Sequence, residues 1–184
     1  PGDLAFDCGA NLGVITGKLA ATGCEVIAYE PDPVAFAALE AAHGGAPNVT
    51  LNAAAVGVAA GQAVLLRDAA FDSAPEQRTL RSSIIPGGNA MAETAIEVPV
   101  VNLLDDIAQH AVRPGGIAFL KLDVEGAELD ILTEMLRHDV FAQVRLTVAE
   151  LHGYKFPDLK PEFQALRSTL TAKYPPHRVW LNWI

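Results

Sequence analysis

Five short apolar runs, each closed by a polar residue, limit what this chain can fold into. The runs at 4–6, 25–29, 49–51, 117–122 and 144–149 stop at Asp7, Glu30, Asn52, Asp123 and Glu150. Near-continuous apolar runs belong to strands covered on both faces, and helical spacings between them make such strands parallel. Right-handed crossovers then bring every carboxyl end to one edge, where open α/β sheets bind their ligands. The five polar residues are expected along that rim, and the rim is the expected site.

Size and charge narrow the field. The 184 residues, 51% of them hydrophobic and 19% charged, suit one globular domain spanning 1–184. A formal net charge of −9, with 13 scattered Lys and Arg, argues against nucleic acid as a partner, because phosphate binding needs a basic surface. Cys8 and Cys24 have neither disulfide-framework nor metal-ligand spacing, so two reduced, buried thiols and a cytoplasmic location are expected. No run approaches the roughly 18 apolar residues of a membrane span. The chain opens on Pro1, so the reading is of a domain lacking an N-terminal segment.

Between the runs, residues 12–22 carry helical spacing, with Val14, Ile15, Leu19 and Ala20 on one face and Gly23 beyond the end. Helices are also expected at 33–43, 103–110, 127–137 and 161–173, and a last β segment at 178–183. From 54 to 101 the pattern changes. Residues 63–66 and 96–101 read as β, separated by a polar stretch with Arg78, Arg81, Ser82, Ser83, Pro86, Gly87 and Gly88. A connection that long is usually a lid or binding loop, so it is the candidate substrate-facing insertion, with Ser83 placed to close over cofactor or acceptor. The expected fold is α/β and Rossmann-like, a mostly parallel central sheet with helices on both faces and a β/loop insertion after the third strand.

The first strand-to-helix turn reads D-C-G-A-N-L-G, from Asp7 to Gly13. Its glycines let the backbone approach a ligand, and the helix beyond offers unpaired N–H groups. The spacing is not the dinucleotide G-x-G-x-x-G, and a carboxylate at Asp7 would repel a pyrophosphate. It suits a ligand carrying positive charge, such as the amino group of a methionyl tail. Glu30, 23 residues after Asp7 and followed by Pro31, stands where an acidic side chain accepts hydrogen bonds from both hydroxyls of a ribose.

The fourth strand and its helix read L-K-L-D-V-E-G-A-E from Leu120. Glu128 and Asp130 suit the positive end of the helix dipole. Asp123 and Glu125 are different, because two carboxylates at a sheet edge need a cation, a donor or a substrate hydroxyl to offset their repulsion. A divalent ion is one such partner, but two carboxylates do not specify one, and no metal ligands are assigned. His152, close behind Glu150, is either a general base at the same edge or a structural histidine.

Taken in order, D-C-G-A-N-L-G, A-Y-E-P, N-A-A-A-V-G from Asn52, S-S-I from Ser82, V-P-V-V-N-L-L-D-D from Val98 and L-K-L-D-V-E-G-A-E resemble the FkbM family of methyltransferases that use S-adenosylmethionine. The resemblance runs from Pro1 to about Leu151. It implies a class I methyltransferase domain and O-methylation of a hydroxyl on a sugar, polyketide or similar small metabolite. On matching positions it implies that Asp7, Gly9, Asn11 and Gly13 line the methionine tail. Glu30 and Pro31 would serve the ribose and Asn52 with Ala53 the adenine, while Asp123 and Glu125 face the reaction centre with His152 as a second candidate base. Two other readings stand beside it. A nucleotide-dependent oxidoreductase is disfavoured by the glycine spacing, and a nucleoside-binding module or inactive relative would serve as a partner subunit. Sequence names neither the acceptor nor an oligomeric state.

Overall fold

The computed structural model describes residues 2–68, 82–85, 90–113 and 115–183, without the side chains of 68 and 90–94. Strands β1 (Leu4–Cys8), β2 (Glu25–Tyr29) and β3 (Val49–Asn52) alternate with helices α1 (Val14–Ala21) and α2 (Pro33–His43). Three strands follow, β4 (Ala55–Gly57), β5 (Gly61–Asp68) and β6 (Ala90–Asn102). The chain then returns to alternation through α3 (Leu103–Ala111), β7 (Ile117–Leu122), α4 (Glu128–Arg137), β8 (Val144–Ala149), α5 (Lys160–Lys173) and β9 (Val179–Trp180).

The main sheet has the order β3-β2-β1-β7-β8-β9, and every neighbouring pair is parallel. From β1 the chain steps outward one way to β3, and from β7 it steps outward the other way to β9. The loops after β1 and β7 therefore diverge and open a crevice at the switch point. This is a Rossmann-like α/β fold. A smaller sheet, β4-β6-β5, is the insertion after the third strand, with β4 parallel and β5 antiparallel to β6.

Alternation along the strands divides the core between two faces. Leu4, Phe6, Leu120 and Leu122 pack with Leu103 and Ile107 of α3, Ile131 and Leu132 of α4, and Leu170 of α5. On the opposite face Ala5 and Val26 meet Leu19 and Ala20 of α1, while Ala28 and Leu51 meet Phe36 and Leu39 of α2. Among the described residues no helix is long and apolar enough to cross a membrane.

Several boundaries differ from the sequence expectation. β1 continues through Asp7 to Cys8, because the carboxylate is neutralised inside the sheet instead of ending the strand. β3 likewise includes Asn52. Residues 55–57 form a strand that their Ala and Gly content hides, and the last β segment is only Val179–Trp180. Arg78, Arg81, Pro86, Gly87, Gly88 and Pro114 lie outside the described residues.

Asp32 fastens the two sheets together. It is fully buried, caps α2 by accepting from the Val34 N–H at 2.9 Å, and takes a two-pronged contact from Arg67 of β5 at 2.9 and 3.1 Å. Asp32→Ala removes a cap and one side of a largely buried ion pair, and is expected to cost about 2–4 kcal/mol in urea unfolding. Asp32→Asn, which keeps an acceptor for Val34, should cost less.

Candidate active site

The β1 turn is built on a close approach that only glycine allows. Gly9 has φ +78°, and a Cβ there would lie 1.8 Å from the carbonyl oxygen of Asp123, beyond the end of β7. The turn hangs on β2 through Gly9 and Ala10 N–H bonds to the Tyr29 carbonyl at 3.0 and 2.9 Å. Asn11 follows with φ +49°, a left-handed conformation that asparagine tolerates better than most residues.

Beneath this turn lies a buried charge cluster. Asp7 and Lys121 face each other across β1 and β7, and both are buried, at 0% and 3% exposed. Thr16 of α1 donates to Asp7 Oδ2 at 2.7 Å. Lys121 Nζ donates to the Gly9 carbonyl at 2.8 Å and stands 3.4 Å from both Asp7 Oδ1 and Asp123 Oδ2. Burial alone would lower the lysine pKa, but attraction to Asp7 and Asp123 carries it above the ordinary value.

Glu30 closes the β2 end. It is 7% exposed, and its carboxylate accepts from the Asn11 N–H at 2.9 Å and the Asp32 N–H at 2.8 Å. Burial pushes its pKa up to about 7, against the pull of those two donors. Each carboxylate oxygen keeps a further lone pair, and Glu30 lines the cleft at the switch point.

The β7 turn carries the second group. Asp123 and Glu125 line the same cleft, and Glu125 has φ +57°, a conformation costly for a residue with its side chain. Ser83 Oγ donates to the Glu125 carbonyl at 2.6 Å and accepts from the Ile85 N–H at 3.0 Å, which pins the insertion onto this turn. Burial raises the Glu125 pKa, with His152 and Lys155 opposing. Glu125 Oε2 also meets Lys155 Nζ in an ion pair.

His152 is buried behind these carboxylates. Its Nδ1 lies 2.9 Å from Glu128 Oε1, and its Nε2 stands 3.5 Å from Glu125 Oε1 and 3.8 Å from Asp123 Oδ1. Burial disfavours its charged form, but the Glu128 hydrogen bond and the neighbouring carboxylates raise its pKa above the ordinary value. Glu128 in turn accepts from the Val124 and Gly126 N–H groups at 2.8 and 2.9 Å, so it is part of the turn and more than a dipole residue.

Six residues singled out from sequence share this cleft: Gly9, Asn11, Glu30, Pro31, Asp123 and Glu125. The others sit elsewhere. Asp7 is under the turn, and Gly13 packs against α2, where a Cβ would lie 2.6 Å from the His43 ring. Asn52 reaches back to the Ala28 carbonyl and Ala53 is exposed. Ser83 and His152 brace the cleft from behind, through Glu125 and Glu128. Its apolar wall comes from Ala54, Ala55, Val56, Leu65 and Ile84, with Ser82 beside them.

Lys121, Asp32 and Lys155 were not read from sequence as part of the site. A lone lysine inside an otherwise apolar run was the available signal for Lys121. The other two look like ordinary surface charges until the fold gives them partners.

Residues 7–174 match the methyltransferase FkbM domain family. A 31-O-demethyl-FK506 methyltransferase FkbM from Streptomyces tacrolimicus is 32% identical over an alignment covering 83% of this chain and 66% of the relative. The chain thus spans just under two thirds of that relative's length. A crystal structure of methyltransferase FkbM from Methylobacillus flagellatus KT covers 90% of this chain and 38% of its own, at 19% identity and a TM-score of 0.44. The chain belongs to the FkbM family of methyltransferases.

Proposed function

We propose that the chain transfers a methyl group from S-adenosylmethionine to a hydroxyl of a small metabolite. The observation that carries this reading is the convergence of Glu30, the Gly9–Asn11 turn and the Asp123–Glu125 turn on one cleft. Glu30 accepts the ribose hydroxyls through its remaining lone pairs. The wall of Ala54, Val56, Leu65 and Ile84 takes the adenine, and the Gly9–Asn11 turn takes the methionyl end. The name of the Streptomyces tacrolimicus relative specifies transfer to oxygen, which supports a hydroxyl acceptor.

In the reaction the acceptor oxygen attacks the sulfonium methyl, the C–S bond breaks, and its electron pair leaves on the neutral thioether sulfur. The sulfonium is already an electrophile, so alignment of two bound molecules supplies much of the acceleration. The hydroxyl must also lose its proton, for which Asp123 and Glu125 are the groups lining the cleft, with His152 behind them.

Calorimetric titration with S-adenosylhomocysteine tests the cofactor half. Binding is expected in wild type, and Glu30→Ala should weaken it by about 1.5–3 kcal/mol, the worth of hydrogen bonds to a charged group. Equal affinity in the two proteins would remove Glu30 from the site, and preferential binding of NAD would overturn the cofactor assignment.

The pH dependence follows from the same residue. The ribose hydroxyls donate to the ionised carboxylate, whose pKa is about 7, so affinity should rise about tenfold from pH 6 to pH 8. In Glu30→Gln that pH step should vanish.

Turnover with a panel of sugar and polyketide alcohols tests the chemistry. Asp123→Asn and Glu125→Gln should each lower kcat by about 10²-fold or more while S-adenosylhomocysteine still binds. Unchanged kcat in both would place proton removal elsewhere. Binding with no turnover on any acceptor would favour a nucleoside-binding partner subunit.

A further inference from the structure

We infer that Asp123, Glu125 and His152 form a site for one divalent first-row transition ion of the Mn2+ to Zn2+ class. Their ligand atoms all lie within 4.8 Å of one another. The arrangement is directional. Asp123 turns Oδ2 to Lys121 and Oδ1 toward the His152 ring, while Glu125 turns Oε2 to Lys155 and Oε1 toward the same ring. Each carboxylate thus satisfies a lysine with one oxygen and aims the other at a common centre.

The histidine is set up to complete that centre. Its side chain is 2% exposed, and Nδ1 must donate to Glu128, because that carboxylate already accepts from two backbone N–H groups. A carboxylate fixing one ring nitrogen so that the other presents its lone pair is the usual support behind a metal-bound histidine. Nε2 lies 3.4–3.8 Å from Glu150, Glu125 and Asp123, yet among the described residues it makes no hydrogen bond. A ring donating to one of them would draw it in to about 2.7–2.9 Å. Separations near 3.5 Å are instead those of atoms each bonded at about 2.0–2.2 Å to a shared ion.

Charge and chemistry agree. Four carboxylates, Asp123, Glu125, Glu128 and Glu150, stand within 3.8 Å of one imidazole. Lys121 and Lys155 offset part of that charge, and Lys121 also serves Asp7. One nitrogen with two carboxylate oxygens is softer than an all-oxygen Mg2+ or Ca2+ site and harder than a thiolate site. Three protein ligands leave coordination positions open.

The inference rests on the methyltransferase reading for its role. With the ion bound, the acceptor's hydroxyl would take an open position on it and lose its proton to a neighbouring carboxylate, for which Glu150, 3.4 Å from His152 Nε2, is the one used neither as a ligand nor as the support of His152. The oxygen then forms its bond to the sulfonium methyl as the C–S electron pair leaves on sulfur. Asp123 and Glu125, which take the proton themselves where no ion is bound, would then act through the ion.

Protein freed of metal by chelation and dialysis, then titrated with MnCl2 by calorimetry and electron paramagnetic resonance, provides the test. One Mn2+ per chain is expected. Glu128→Gln, which loosens both the His152 ring and the 124–126 turn, should weaken uptake roughly 10–100-fold, and His152→Gln and Asp123→Asn at least as much. S-adenosylhomocysteine titration of the same proteins reports whether the cleft is folded. Absence of saturable Mn2+ and Zn2+ uptake by wild type, or equal uptake by folded His152→Gln and Asp123→Asn, overturns the site and leaves the cofactor reading standing. Mn2+ uptake without S-adenosylhomocysteine binding supports the site and removes the cofactor reading.

Discussion

The buried ammonium of Lys121 is the contact on which the cleft depends. Asp7 is inside a strand with no exposure, and a lone carboxylate there would carry a desolvation cost of several kcal/mol. Lys121, directly across the sheet, supplies the opposite charge and also ties Gly9 and Asp123 to the same point. Those residues belong to the two turns that diverge at the switch point. One ammonium therefore sets how far apart the turns stand, and the missing Cβ of Gly9 lets them come that close. A neutral side chain in place of Lys121 would leave Asp7 uncompensated and both turns unfastened.

The same turns hold strain where the cleft needs fixed geometry. Asn11 and Glu125, one after each central strand, have positive φ without being glycine. A left-handed conformation costs such residues about 1 kcal/mol or more and persists only where neighbours enforce it. Here the enforcers are visible: Glu30 accepts the Asn11 N–H, and Ser83 donates to the Glu125 carbonyl. The acceptor of the first bond comes from β2 and the donor of the second from the insertion. Distant segments thus hold the two turns in place, so substitutions at Glu30 or Ser83 act on the shape of the cleft as well as on its chemistry.

Much of this was legible in the sequence because parallel strands covered on both faces leave continuous apolar runs. The five runs, the helices between them and the shared edge follow from that pattern, and Glu30, Asp123 and Glu125 stand at strand ends facing one cleft. Asp7 was read as a strand end because nothing local says that Lys121 will neutralise it, 114 residues away in sequence. Strand β4 was hidden because Ala and Gly carry little β signal and its partner β6 lies far along the chain. Likewise the apolar wall at 54–56 follows from that pairing and cannot be read from residues 52–53 alone. Motifs placed the carboxylates, but their partners are long-range contacts that no local spacing encodes.

Glu30 shows what the cleft costs the folded chain. A carboxyl whose pKa is about 7 when folded and 4.5 when free is protonated in both states at low pH. Between those values the unfolded chain sheds its proton and the folded chain resists, so this residue's contribution to stability falls as pH rises. Above pH 7 the folded chain carries a buried carboxylate, destabilising by about 3 kcal/mol at most. A core would be more stable with an apolar residue there. Two backbone N–H bonds already hold the carboxylate in place, so a ligand that donates two hydroxyls finds its acceptors oriented in advance. Binding of such a ligand and ionisation of Glu30 would then favour one another, and the ligand would offset the destabilisation that the ionised carboxylate brings.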